Sequence, residues 1–478
     1  VNRVVQVLGG IRIYTVRINH TDNRQRLRER KGDMMTTGIT ILAFLITMML
    51  VYWRPKGINE AIPAMIGAVL VILGGAVNSS HLLDITTKVS GAAVTIISTL
   101  VMALVLESIG FFHWIATLLA RRANGSGLRL FWYTNALCFL MTLFFNNDGS
   151  IMITTPILLL LLNNFQLKKH EKLPYLLSGA LIATASSAPI GVSNMVNLIS
   201  LNIIQMNLYL QTAMMFIPSM LGLLFLLSML FFVFSDDIPR TLPSLIVPIT
   251  PRSLFDHPLK DRPSGMKVSE KQMKRILLFV LAVRISLFVA SYFHIPVEIV
   301  ALTGSILLLS WRSYALKIKP YDVLSKAPWH ILVFAFGMYV IIYGLNHIGL
   351  SHFLVQLLQP YISDTFHAVF IMGGAWTILA NIFNNHPALM IGTLALTDMN
   401  IAPPLVKAAY LSMIIGSDIG SLLLPTGTLA TLLWLHILKK YRFPVPWAMY
   451  IKTTILVIPL TVLFTLIMLY LWLALFFL

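Results

Sequence analysis

Apolar residues run along this chain in stretches near 20 long, divided by short polar clusters. A helix of about 20 apolar residues crosses roughly 30 Å of hydrocarbon. The pattern predicts spans at about 36–53, 58–77, 89–110, 174–208, 211–234, 276–293, 297–311, 327–349, 405–438 and 447–475, the fourth and ninth interrupted by Pro and Gly. Two further segments, about 130–162 and 369–398, read as hairpins with short apolar arms and a polar tip. The alternating pattern of an outer-membrane barrel is absent. The expected fold class is an all-α polytopic membrane protein with about ten transmembrane helices.

Composition agrees. The 478 residues are 57% hydrophobic and 11% charged, against roughly 45–50% and about 25% in a soluble domain. A water-soluble enzyme and a disordered chain are both excluded. Cys138 is the single cysteine, so neither a disulfide within the chain nor a multi-thiolate metal site can form. There is no Gly-Lys dipeptide for a phosphate loop and no H-E-x-x-H for a zinc protease. No cofactor or metal is expected, and any ATP-driven role needs a partner.

The net charge is +17, from 35 Lys and Arg against 18 Asp and Glu. In a soluble chain that points to nucleic acid. Here it reads as a positive-inside signal, with membrane lipid as the partner and no nucleic acid. Segments 54–57, 121–129, 168–172, 235–275, 312–326 and 439–442 hold 23 basic residues and are assigned to the cytoplasm. The opposite side then holds only Lys88 and Lys407, with Arg284 and Lys452 inside spans. The same assignment puts eight basic residues of 1–33 outside. Residues 1–33 are therefore expected to be an upstream extension, with Met34 or Met35 the true start. Residues 34–234 form a first transmembrane repeat, 235–275 a Pro-rich cytoplasmic linker, and 276–478 a second repeat.

The two halves match at an offset of about 236–239 residues. Glu107-Ser108-Ile109-Gly110 falls on Asn346-His347-Ile348-Gly349, and Phe145-Asn146-Asn147-Asp148 on Phe383-Asn384-Asn385-His386. Pro189-Ile190-Gly191 falls near Pro425-Thr426-Gly427. Basic 121–129 and 439–442 correspond to segments without Lys or Arg, so equivalent loops lie on opposite sides and the repeats are inverted. Inverted repeats around a midplane site mark secondary transporters.

The polar breaks carry the candidate chemistry. Asn146, Asn147 and Asp148 form the first hairpin tip; Asn384, Asn385 and His386 form the second. Ser193, Asn194 and Asn197 follow the Pro189 break, and Thr426, Gly427 and Thr428 the Pro425 break. Irregular backbone at membrane depth belongs where it is buried or lines a polar cavity. Amides, hydroxyls and helix N-termini suit a small hydroxylated solute or an anion. Intramembrane acids are costly and point to function. Asp148, Asp418 and Glu107 are the proton-coupling candidates, with a structural role equally open for Glu107. Arg284 is expected either to pair with an acid, with Asp418 the candidate, or to serve structure alone. His386 is a titrating or a hydrogen-bonded tip residue, and His330 an interface anchor.

These residues resemble the arsenical pump membrane protein family of the ion transporter superfamily, from about Met34 to the C-terminus. The similarity is carried by Trp53-Arg54-Pro55-Lys56-Gly57, Gly110-Phe111-Phe112-His113-Trp114, Asn147-Asp148-Gly149, Val192-Ser193-Asn194-Met195-Val196-Asn197, Asn384-Asn385 and Gly427 through His436. The resemblance implies ten spans with two re-entrant hairpins, exporting arsenite and antimonite in exchange for protons. It also implies that a soluble ATPase subunit docks on the permease in some systems. Uncharged arsenic trihydroxide fits an amide and hydroxyl site, and one cysteine cannot make a three-thiolate site. The chain departs from the family pattern at Thr184, where an acid is typical, and at Ser421-Leu422, where a Pro-Lys pair is typical. A sodium- or proton-coupled carboxylate or cation transporter of the same superfamily is the alternative. The sequence leaves the oligomeric state open.

Overall fold

The computed structural model describes residues 5–8, 11–14, 20–54, 58–242 and 269–477. Near the start, β1 (Val5–Leu8) and β2 (Ile11–Tyr14) pair antiparallel. The remaining described elements are helical. The first half comprises α1 (His20–Trp53), α2 (Ala61–Leu73), α3 (Ser79–Ser108), α4 (Phe111–Ala123), α5 (Gly127–Phe144), α6 (Asn147–Asn164), α7 (Lys169–Ala185), α8 (Met195–Ile204) and α9 (Leu208–Phe234). The second comprises α10 (Glu270–Tyr292), α11 (Val297–Leu316), α12 (Tyr321–Lys326), α13 (His330–His347), α14 (Leu350–Leu358), α15 (Thr365–Phe383), α16 (Asn385–Asp398), α17 (Pro403–Asp418), α18 (Leu429–Lys440) and α19 (Trp447–Phe476). With the short α12 set aside, the two halves repeat in the same order.

Nine of the described helices are long and apolar enough to cross a membrane. The 23-residue α10 is interrupted by Lys271, Lys274, Arg275 and Arg284. Three boundaries differ from the sequence pattern. Helix α3 starts ten residues early because Asp84 and Lys88, one turn apart, pair at 2.8 Å along its surface instead of breaking it. The hairpin arms α5 and α15 are 18 and 19 residues, longer than expected. The amphipathic α4 and α14 went unpredicted. Each starts at a glycine in the left-handed region, Gly110 (φ 86°) and Gly349 (φ 101°), where a side chain would be strained. Most of the linker, 243–268, lies outside the described residues.

The outer helices show apolar stripes, such as Ile62, Ile66 and Val69 on α2 and Leu278, Leu281 and Ile285 on α10. Such faces fit lipid chains. Inside, residues 173–201, 384–396 and 408–422 are buried without interruption. Packing is reciprocal: α2 lies on α13 and α3 on α11, while α6 lies on α18 and α8 on α16. Each hairpin thus rests on the interrupted helix of the other half.

Candidate functional site

Helix α7 ends at Ala185, and the chain stays irregular through a 3-10 turn at Gly191–Ser193 before α8. Asn194 is extended, and its Oδ1 caps the Val196 amide at 3.2 Å. Gln211 Oε1 accepts from the Gly191 amide at 3.0 Å, so the unwound backbone keeps a partner.

The second interruption follows α17, with 3-10 turns at Gly420–Leu423 and Pro425–Gly427. Thr428 caps the Thr431 amide at 2.9 Å. Freed carbonyls are taken by Tyr450 (Leu422 O, 2.9 Å) and Thr454 (Leu423 O, 2.8 Å). Asn381 on α15 accepts from the Leu424 amide and donates to the Gly420 carbonyl, both at 2.8 Å. That side chain was missed in the sequence. Its signal was a lone amide in an otherwise apolar arm.

Asp418 joins the two interruptions. It is fully buried at the end of α17. Ser187 Oγ donates to its Oδ2 at 2.8 Å, Asn197 Nδ2 to Oδ2 at 2.8 Å, and Asn194 Nδ2 to Oδ1 at 3.0 Å. An acid of the second half is thus solvated by three side chains of the first. Arg284 does not pair with it. Instead Arg284 donates from Nη2 to the Phe145 carbonyl at 2.8 Å and from Nε to the Phe144 carbonyl at 2.7 Å. Those carbonyls close α5, the negative end of its dipole, and a cation there needs no carboxylate.

At the first tip, Asn146 Oδ1 caps the Gly149 amide at 2.7 Å and Asn147 Oδ1 accepts from the Asp148 amide at 2.8 Å. At the second tip, Asn384 has φ +70° and ψ 152°, a region that strains any side chain. Its Nδ2 donates to the Thr426 carbonyl at 3.0 Å, tying this hairpin to the second interruption. Tyr52 on α1 donates to the Ile382 carbonyl at 2.9 Å. So α10 grips the end of the first hairpin arm, and α1 grips the second.

Asn146, Asp148 and His386 share a narrow cavity with Met195, Val196, Ile331, Phe334, Ala335, Met338 and Met390. Its volume is about 10 Å³, room for roughly one water. Around the tips and interruptions, Ser193 Oγ, Asn197 Oδ1, Asn384 Oδ1, Asn385 Oδ1, His386 Nε2 and Ser421 Oγ are buried without a hydrogen-bond partner. Most of these atoms are acceptors or hydroxyls, and a buried acceptor without a donor is unfavourable. Of the expected residues, Asn194, Asn197 and Asp418 form one cluster, Asn146, Asp148 and His386 line the tip cavity, and Asn384 joins Thr426, while Asn147, Ser193, Asn385, Gly427 and Thr428 stand in none of these groups. Glu107 sits elsewhere, half-buried in the last turn of α3 beside Ser108, whose hydroxyl receives Arg312 Nε. At the departures from the family pattern, Thr184 bonds back to the Ala180 carbonyl at 3.1 Å and Ser421 is wholly buried.

Paired breaks, buried at the centre of a repeated helical bundle and lined by uncharged polar groups around an acid, define a membrane transporter. Residues 39–473 match the arsenical pump membrane protein family. The chain is 57% identical over 442 residues to a Bacillus subtilis protein described as an arsenical pump membrane protein, covering 91% of this chain and 99% of that one. It is 31% identical over 422 residues to an Escherichia coli arsenical pump membrane protein, covering 88% and 95%. The chain belongs to the arsenical pump membrane protein family. Its fold is shared with the YdaH transporter of Alcanivorax borkumensis, with a TM-score of 0.55, 12% identity, and coverage of 90% of this chain and 98% of that one.

Proposed function

We propose that this protein exports arsenite, and antimonite with it, from the cytoplasm in exchange for protons. The observation that carries the reading is the chemistry left open at the centre. Three amide oxygens, two hydroxyls and an imidazole nitrogen stand buried without partners. Uncharged arsenic trihydroxide presents three O–H donors and is complementary to such a set. Asn146, Asn147, Asn384 and Asn385 at the tips, with Ser193, Asn194, Asn197, Thr426, Gly427 and Thr428 at the interruptions, form the binding region. The relatives' description as arsenical pumps supports the substrate.

Asp148 and Asp418 carry the protons. Asp148 lines the tip cavity and lies within electrostatic reach of Asp418. The halves are inverted about the site, with the basic loops in the cytoplasm, and each hairpin opens toward one side in turn. Single-water room at the tips fits a closed stage of that cycle.

The test is arsenite uptake into everted vesicles with an imposed proton gradient and no ATP. Uptake above that of permease-free vesicles, abolished by a protonophore, is the expected result. Absence of uptake by correctly inserted protein overturns antiport.

A further inference from the structure

A second charged cluster gathers at the ends of α1, α2 and α13. Arg54 follows the last residue of α1, Glu60 sits at the N-terminus of α2, and His330 opens α13. Arg54 Nη2 meets Glu60 Oε2 at 2.7 Å, and His330 Nε2 lies 3.7 Å from Glu60 Oε1. Their side chains are 18%, 14% and 36% exposed, so the cluster runs from nearly buried to open. It is placed where helix ends favour it: the cation at a C-terminus, the acid at an N-terminus.

Helix α13 links the cluster to the site, since His330 directly precedes the cavity-lining Ile331. The face of α13 that begins at His330 continues as Ile331, Phe334, Ala335 and Met338, spaced three and four apart, and these four residues line the cavity together with Asp148. Glu60 and Arg54 both act electrostatically on Asp148. The titratable and charged groups about Glu60 are thus Arg54 beside the end of α1, His330 from α13, and Asp148 from α6. None of Arg54, Glu60 and His330 belongs to the substrate groups above.

We infer that Glu60, with Arg54 and His330, is a proton-release station at the cytoplasmic mouth of the site. This rests on the antiport reading. The proton leaves the Asp148 carboxyl, passes through the single-water cavity, and lands on the Glu60 carboxylate. Neutralising Glu60 weakens its pair with Arg54 and loosens the contact between the α1 end and α2. His330, the most exposed member, takes the proton from Glu60 and gives it to solvent, which restores the pair. Asp148 is left ionised, and the mouth closes again.

Two assays in the same everted vesicles test this. Gradient-driven arsenite accumulation needs net proton release. Arsenite–arsenite exchange without a gradient needs binding and movement only. For Glu60→Gln, accumulation should fall at least about tenfold and lose its dependence on pH at the cytoplasmic face, while exchange stays within about twofold of wild type. His330→Gln should move the same pH profile with a smaller loss. If Glu60→Gln inserts poorly because Arg54 is left uncompensated, the charge-balanced Arg54→Gln/Glu60→Gln variant carries the same comparison. Wild-type accumulation and pH profile in the variant would overturn the inference, as would parallel loss of exchange at normal protein level. Wild-type vesicles that exchange arsenite yet never accumulate it on a proton gradient would instead sink the antiport reading.

Discussion

Arg284 reaches from α10 to the carbonyl of Phe145, 2.8 Å away and one residue before the first hairpin tip. The guanidinium is 4% exposed and stays charged. It is therefore a structural fastener for the tip rather than a counter-ion of Asp418. Arg284→Gln removes the bridge across two carbonyls and should cost about 1–3 kcal/mol. Thermal unfolding in detergent should show it, with Arg284→Lys recovering part of the loss. An unchanged Tm in Arg284→Gln would deny the fastening role.

Asp418→Asn replaces a carboxylate by an amide whose NH2 must face Asn194 Nδ2 in one orientation and Asn197 Nδ2 in the other. A donor against a donor should destabilise by about 1–3 kcal/mol. Gradient-driven efflux should also lose part of its pH dependence. A pH–rate curve that superimposes on wild type would remove Asp418 from proton coupling.

At the second interruption, Gly427 has no room for a side chain. A Cβ there would sit 1.8 Å from the Ser421 carbonyl oxygen and 2.7 Å from its carbon. Backbone must move, so Gly427→Ala should lose stability by about 1–3 kcal/mol and transport with it. Vesicle uptake per unit of inserted protein is the readout, and normal uptake would mean the two turns are not held together.

Asp148→Asn should abolish arsenite resistance in cells while immunoblots show normal membrane levels. The side chain is half-buried and lines the cavity, and asparagine keeps its size. Retained resistance would exclude it as a carrier.

Cys138→Ser should be nearly silent in transport. The thiol is buried on α5, against Gly179 of α7, and does not line the tip cavity. A dead variant at full membrane level would bring thiol chemistry back.

Most of the span pattern was legible because apolar length is a one-dimensional signal. The polar breaks were legible because Asn, Asp, Ser or Thr cluster there with Pro or Gly, whereas a lone proline such as Pro218 or Pro459 sits inside a continuous helix. What the sequence concealed was partnership. Arg284 and Asp418 are both buried ions, and pairing them was the simplest guess; peptide carbonyls and side-chain amides can neutralise each alone, which no spacing reveals. Asn381 looked like a stray amide until the Leu424 and Gly420 backbone came beside it. Glu60 and His330 are 270 residues apart in number and meet only because α2 packs on α13. The amphipathic α4 and α14 were hidden because each is too short to register as a span.

The tip cavity has one more consequence. A cell that stores energy as a proton gradient cannot tolerate a continuous file of water through any membrane protein, since protons hop along such files without a carrier. Space for about one water between Asp148 and the wall of α13 interrupts the file while leaving a single stepping stone. Under the antiport reading, packing this close denies protons a continuous water path past the tips, so that a gradient would drive export and not leakage.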